Sequence, residues 1–286
     1  MADTSKQIFS SLSSANTSQQ NAHNQNTQTA DLTEKAKKGM EQLSGTQFKG
    51  PVWFDKEWMP NTETHHDFMT AYWEGCKIII DNIDNAIIEN VVNVLFDAWK
   101  KGNTVFVFGN GGSAADASHF AADLAKTTMV PGKSRLKAYC LNENVSMITA
   151  WTNDEGWGSV YEGQLQGYHQ PGDVCIALSV HGGSMGGNAG SWSQNLMRGL
   201  QYAHDNGGIN VGISGFKGGA FPQVCDHTIV IPLDSTAHIE AFHAVVHHAI
   251  IFRLQQLMKQ HDIPAGVVEP NRINKDYIIK YLSEHL

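Results

Sequence analysis

Residues 104–124 read TVFVFGNGGSAADASHFAADL. The opening run of β-branched and aromatic residues is too short for a helix and matches a strand covered on both faces. Gly109, Gly111 and Gly112 then interrupt it, Ser113 suits a helix N-cap, and an alanine-rich helix over 113–126 follows. Strand, glycine turn and helix in that order form the first part of a β-α-β unit, which commits the chain to a parallel sheet.

Working outward, the pattern repeats. LKAYCL (136–141) precedes VSMITAWTND, and DVCIALS (173–179) precedes a second glycine loop at 182–190 and a helix over 191–205. INVGIS (209–214) and HTIVIPL (227–233) follow, then a long helix over about 237–260. Upstream, Phe68, Tyr72, Ile79, Ile83, Ile87, Val91, Val94, Leu95 and Ala98 recur at spacings of three and four, which predicts helix from 64 to 101 with a break near Asn82 or Asp84. The expected fold is α/β, a five-stranded parallel sheet flanked by helices in a three-layer sandwich. Ligands of such sheets bind at the carboxyl ends of the strands, and both glycine loops fall on that edge.

Around this core, residues 1–48 are rich in Ser, Thr, Gln, Asn and Ala and read as a mobile low-complexity tail, because they bury too little apolar surface to offset ordering. Residues 49–63 form an aromatic-bearing connector, 64–262 the domain, and 263–286 a C-terminal extension interrupted by Pro264 and Pro270. The 286 residues are 41% hydrophobic and 17% charged, with a formal charge of −8. No basic field exists to hold a nucleic-acid backbone. The chain shows no secretory signal and no apolar run of membrane-spanning length. Its four cysteines are scattered without a CxxC pair, so a reduced, cytoplasmic setting is expected.

The glycine loops point to an anion. Gly111 and Gly112 permit close backbone approach, and the amides and dipole at a helix start favour negative charge. The second loop, SVHGGSMGGNAGS (179–191), adds Ser179, Ser184 and bare amides on the same edge, so a phosphorylated small molecule is the expected ligand. On the helix, His119 and Asp123 stand four residues apart and share a face. The late helix carries HIEAFHAVVHHAI, in which Glu240, His243, His247 and His248 stand opposite a stripe of Phe242, Val246, Ala249 and Phe252. Imidazoles with carboxylates suit Zn2+ or another divalent ion, while the residues alone leave open which histidine binds.

The run GNGGSAADASHFAADL, with TNDEG (152–156), GDVCIALS and HIEAFHAVVHHAI, resembles the phosphoheptose (sedoheptulose 7-phosphate) isomerases of the sugar isomerase (SIS) domain superfamily, over residues 64–260. The resemblance implies a homotetramer with sites between subunits, and an aldose–ketose isomerase acting on a phosphorylated sugar. It implies a metal set of His119, Asp123, Glu240 and His248, with His243 behind it, and catalytic roles for Asp123, Glu240 and His248. It also implies substrate contacts from Asn110, Gly111, Gly112, Ser113, Asn153, Asp154, Ser179 and Ser184.

Departures from that pattern bear on chemistry. Asp123 stands where the family has Glu, and Glu240 where it has Gln, so the proton-moving carboxylate is either of the two. The family's phosphate loop STSGNS is SVHGGS here, with Val180 and His181 replacing two hydroxyls, so His181 is expected to supply charge to the phosphate. A glycine-rich insertion follows. A different phosphosugar isomerase or lyase, or a non-catalytic SIS module that senses a sugar phosphate or binds a protein, are the alternatives.

Overall fold

The computed structural model describes residue 58, residues 60–184 and 193–262, and residues 279–280 and 282–284. The tail at 1–48, most of the connector, the insertion at 185–192 and most of the C-terminal extension lie outside the described residues.

Two helices open the domain. In α1 (His65–Asn82) the Thr64 side chain caps the start by accepting from the Asp67 amide at 3.1 Å. Asp84 breaks the helical run and caps α2 (Asn85–Lys101) by accepting from the Ala86 and Ile87 amides. Gly102, at φ 72°, ends α2 in a left-handed turn that a side chain would strain. The chain then alternates: β1 (Thr104–Gly109), α3 (Gly112–Lys126), β2 (Lys137–Cys140), α4 (Val145–Glu155), α5 (Val160–Tyr168) and β3 (Val174–Ser179). It continues with α6 (Gln194–Asp205), β4 (Ile209–Ser214), the short α7 (Phe221–Val224), β5 (His227–Val230) and α8 (Thr236–Gln260).

The five strands pair in parallel in the order β2-β1-β3-β4-β5. Their side chains alternate between two cores, as a pleated strand requires. Val105, Val107, Val174, Ile176 and Leu178 join Ile79, Leu95, Phe120, Leu124, Phe242 and Ile250 on one face. Phe106, Phe108, Cys175 and Ala177 join Tyr161, Leu165, Leu196, Leu200 and Phe221 on the other. Helices α2, α3 and α8 thus cover one face, and α5 and α6 cover the other. Trp58 is tied to this body: its amide donates to the Asp234 carbonyl at 2.6 Å and its ring meets His238 edge-on at 5.1 Å.

Two expectations need correction. Ser113 is not the N-cap of α3. Gly111, at φ 57° and ψ −127°, holds that place without any side-chain cap, and Ser113 is buried in the first turn. The apolar stripe of α8 is also rotated from the expected one. Phe242 and Val246 are buried, but Phe252 is 61% exposed, and the packed face runs through Ile239, His243, His247, Ile250 and Leu254. Two of the histidines assigned to the polar side are therefore core residues.

Candidate active site

The strand order reverses direction at β1. From β1 the chain moves outward through α3 to β2, and from β3 it moves the opposite way through α6 to β4, with the two helices on opposite faces. The loops leaving β1 and β3 part at the junction of these strands, and the crevice they open is where doubly wound sheets bind ligands. Both glycine loops meet there.

A buried polar network fixes the first loop. Asn110 and Asn195 exchange side-chain amide hydrogen bonds at 3.0 and 2.8 Å, tying the loop after β1 to the start of α6. Asn142 accepts from the Gly109 amide at 3.1 Å and donates to the Gly109 carbonyl at 2.9 Å and the Tyr161 hydroxyl at 2.7 Å. The Tyr161 hydroxyl itself donates to the Gly109 carbonyl. Burial pushes the Tyr161 phenol well above its usual range, so it remains a neutral donor. Beyond this anchor Gly111 turns with positive φ, and α3 begins with its first-turn amides on the crevice side.

The second loop spends its glycines on packing. The Gly182 amide donates to Ser179 Oγ at 3.1 Å, and the Gly182 carbonyl accepts from the amides of Ala220 and Phe221 at 2.9 and 3.1 Å. Gly182 and Gly219 have φ of 71° and 56°, and a Cβ on either would overlap the backbone of the other's loop. Ser179 and Ser184 are buried beside the crevice, and the His181 ring lies against Phe216 at 4.4 Å. Asn153 and Asp154 sit exposed in the last turn of α4, hydrogen-bonded to each other at 2.7 Å, with no hydrogen bond to either glycine loop among the described residues.

Helices α3 and α8 run side by side in the same direction. Gly112 faces Glu240, Asp116 Oδ2 accepts a hydrogen bond from His243 Nδ1 at 3.2 Å, His119 meets His247, and Thr127 faces Gln255. At the middle of this seam four potential ligands converge: His119, Asp123, His247 and His248, with one ligand atom from each within 4.8 Å of the others. Asp123 Oδ2 is the hub, 3.5 Å from His119 Nε2, 3.6 Å from His247 Nε2 and 3.3 Å from His248 Nε2. Ligand atoms on a tetrahedral sphere of about 2.1 Å radius stand about 3.4 Å apart, so these edges suit Zn2+ or a similar ion. The other carboxylate oxygen accepts from the Thr127 hydroxyl at 2.8 Å, which fixes the orientation of Asp123.

His247 tests whether a cation fits. Its side chain is fully buried, stacked on Phe120 at 5.1 Å, and neither ring nitrogen has a hydrogen-bond partner. Such an orphaned group costs about 1–3 kcal/mol unless something coordinates it. Burial, followed by the neighbouring His248 and His119, lowers its pKa to about 4, so the imidazole stays neutral and ready to ligate.

The comparisons with known proteins follow the same lines. Residues 71–186 match the SIS domain. The chain is 47% identical over 161 residues to the lincomycin biosynthesis protein LmbN of Streptomyces lincolnensis, a match covering 55% of this chain and only 58% of that protein's length. It is 33% identical over 171 residues to the phosphoheptose isomerase of Aquifex aeolicus, covering 60% of this chain and 84% of the relative. The chain belongs to the phosphoheptose isomerase family. Among solved structures, the phosphoheptose isomerase GmhA of Neisseria gonorrhoeae superposes with a TM-score of 0.54 at 25% identity, covering 66% of this chain and 92% of that one. The fold also matches a phosphoheptose isomerase from Francisella tularensis, with a TM-score of 0.59 at 22% identity, over 68% of this chain and 100% of that one.

Within this phosphoheptose isomerase fold, the metal set expected by resemblance divides. His119, Asp123 and His248 come together. Glu240 does not join them: its carboxylate packs against the Cα of Gly112, two turns up the seam. His247, which the residues alone left open as a ligand and the resemblance passed over in favour of His248, joins the cluster beside it. The sequence reading missed Asn142, Tyr161 and Asn195, which are drawn together only by the fold.

Proposed function

We propose that this chain is a metal-dependent aldose–ketose isomerase of a phosphorylated sugar, converting sedoheptulose 7-phosphate to a glycero-manno-heptose 7-phosphate. Membership of the phosphoheptose isomerase family supports the isomerase class. The observation that carries the reading is the position of the His/Asp cluster on the seam of α3 and α8, with the start of α3, which has no side-chain cap, opening at the switch-point crevice. With a rise of about 1.5 Å per residue, His119 lies roughly 10 Å along α3 from Gly112, a separation suited to a long sugar chain phosphorylated at its far end.

In this scheme the amides at 111–113 and the hydroxyls of Ser113, Ser179 and Ser184, with His181 near them, bind the phosphate. Asn110 helps to orient the sugar, with Asn153 and Asp154 assigned there by the family pattern alone. Holding the remote phosphate fixes the reacting carbons against the acid–base groups. Asp123 or Glu240 takes the proton moved between C1 and C2, and His248 serves the proton exchange at the neighbouring oxygens. His119, Asp123 and His248, with His247 beside them, would hold a divalent ion, proposed to be zinc, which would supply Lewis-acid charge to the developing enediolate. By the family pattern the working form is a cytoplasmic homotetramer with sites between subunits.

A second reading keeps the reaction and changes the sugar. It draws support from the 47% identity to LmbN against 33% to the Aquifex aeolicus enzyme, and from the SVHGGS loop. A panel of ketose and aldose phosphates of different chain length tests both. Turnover of the seven-carbon substrate above all others supports the first reading; turnover of another sugar phosphate supports the second; turnover of none sinks the isomerase assignment.

A further inference from the structure

We infer that Asp116 is a substrate-contacting residue, whose carboxylate accepts hydrogen bonds from hydroxyls of the sugar chain between its phosphate and its reacting end. The buried His243 is the positioning residue that aims it. This rests on the reading that the crevice holds a phosphorylated sugar, and it names the side chain that reads the middle of that sugar.

Residues 112, 116, 119 and 123 follow one another at spacings of four, three and four, so they share one face of α3. Gly112 stands at the end where the phosphate cradle opens, and His119 and Asp123 belong to the cluster further along. Asp116 lies between them, about 6 Å along the axis from Gly112 and about 4.5 Å before His119. A ligand with its phosphate in the cradle and its carbonyl end at the cluster passes this carboxylate. The side chain is 19% exposed, so it is neither sunk in the core nor free in solvent. An ionised carboxylate offers acceptors and no donor, and hydroxyls that donate to it make charge-assisted hydrogen bonds. The same charge repels a second anionic group, so the ligand class is a chain with several neutral hydroxyls and one terminal phosphate.

His243 fixes the direction of that carboxylate. Its ring has no exposure and lies on the packed face of α8, one turn from the buried Ile239 and Val246. Nδ1 donates to Asp116 Oδ2 at 3.2 Å, while Nε2 is buried without a partner. An apolar residue would fill this place without leaving a buried nitrogen unsatisfied. What the histidine adds is one donor, delivered from the core side to one oxygen of Asp116. The other oxygen makes no hydrogen bond among the described residues, which leaves its lone pairs for a ligand. Asp123 is held on the same plan, with one oxygen on the Thr127 hydroxyl and the other turned to its partners.

Calorimetric titration of the full-length protein with two unreactive ligands tests this without reference to turnover. One is the heptitol 7-phosphate obtained by reducing sedoheptulose 7-phosphate. The other is 1,7-heptanediol monophosphate, equal in length and bare of inner hydroxyls. The readout is the ratio of their affinities, which a loosened helix or a weakened phosphate cradle leaves unmoved because both ligands suffer alike. Wild-type protein is expected to favour the heptitol by about tenfold or more, the worth of one hydrogen bond to a charged group. Asp116→Ala, a change that favours the helix, should abolish most of that preference. His243→Phe keeps a packed ring and deletes the donor, and should lower the preference several-fold. His243→Asn, whose amide restores a donor near the place of Nδ1, should recover it. No preference in the wild type, or a wild-type ratio in Asp116→Ala, would overturn the contact; a wild-type ratio in His243→Phe would overturn the positioning role. Protein that shows this preference yet isomerises no sugar phosphate would overturn the isomerase reading and leave this one standing; an active isomerase without the preference would do the reverse.

Discussion

Glu240 rests its carboxylate on the Cα of Gly112, and no side chain fits between them: a Cβ at residue 112 would overlap the Glu240 carboxylate. The glycine at this place is required by a neighbour, since its own backbone is ordinary helix. Gly112→Ala is therefore expected to fold, with a melting temperature within a few degrees of wild type, because alanine favours a helix by up to about 1 kcal/mol over glycine. The displaced carboxylate should lower kcat at least tenfold. Circular dichroism melts beside steady-state kinetics check both halves.

Asp123 is held from both sides, by the Thr127 hydroxyl on Oδ1 and the imidazoles around Oδ2. Asp123→Asn keeps the shape and removes the charge. We expect it to stay folded, to lose most bound metal, and to lose at least a hundredfold in kcat/KM. Asp123→Glu, which restores the longer side chain usual in the family, should retain metal. Elemental analysis of the two purified variants separates them.

The buried neutral His247 makes the metal-free protein acid-sensitive. Its folded pKa of about 4 lies below the ordinary value near 6.5, so the unfolded chain binds the proton first as pH falls. Stability from this residue is complete above pH 6.5 and is lost as pH falls towards 4, at most about 3 kcal/mol. Urea midpoints of chelator-treated protein at pH 7 and pH 4.5 should differ accordingly, and His247→Leu should show a smaller difference. An equal slope in both proteins would contradict the assignment of the effect to this ring.

Tyr161 tests the anchor of the first loop. Tyr161→Phe deletes the hydroxyl that donates to the Gly109 carbonyl and accepts from Asn142, while the Asn142 bond to that carbonyl remains. The expected cost is about 1 kcal/mol of stability. Loosening the loop should raise KM for the phosphosugar several-fold with little change in kcat, because the acid–base residues sit on other elements. A fall in kcat alone would place Tyr161 in the chemistry instead.

Much of this fold was legible because its signals are local. TVFVF, DVCIALS and INVGIS are short β-favouring runs bounded by Gly, Asn or Asp, and each is a central strand. Asp84 divides α1 from α2 because a capping carboxylate competes with the helix for amides. The site was legible where two residues share one helix face, as His119 and Asp123 do. What was not legible depends on rotation and distance. His243 and His247 read as polar positions, yet His243 has Ile239 and Val246, and His247 has Ala244, Ile250 and Ile251, three or four places away, and tertiary packing draws them inward. The offset that sets Glu240 against Gly112, and the pairing of Asn110 with Asn195, arise from elements far apart in the chain; no periodicity records them.

The most direct measurement is conversion of sedoheptulose 7-phosphate to its aldose isomer, followed by NMR, with native, chelator-treated and zinc-restored protein. The account predicts turnover by native protein, loss of it when metal is removed, and recovery when zinc is returned. Undiminished turnover by metal-free protein, or none by metal-loaded protein with any sugar phosphate, would contradict it.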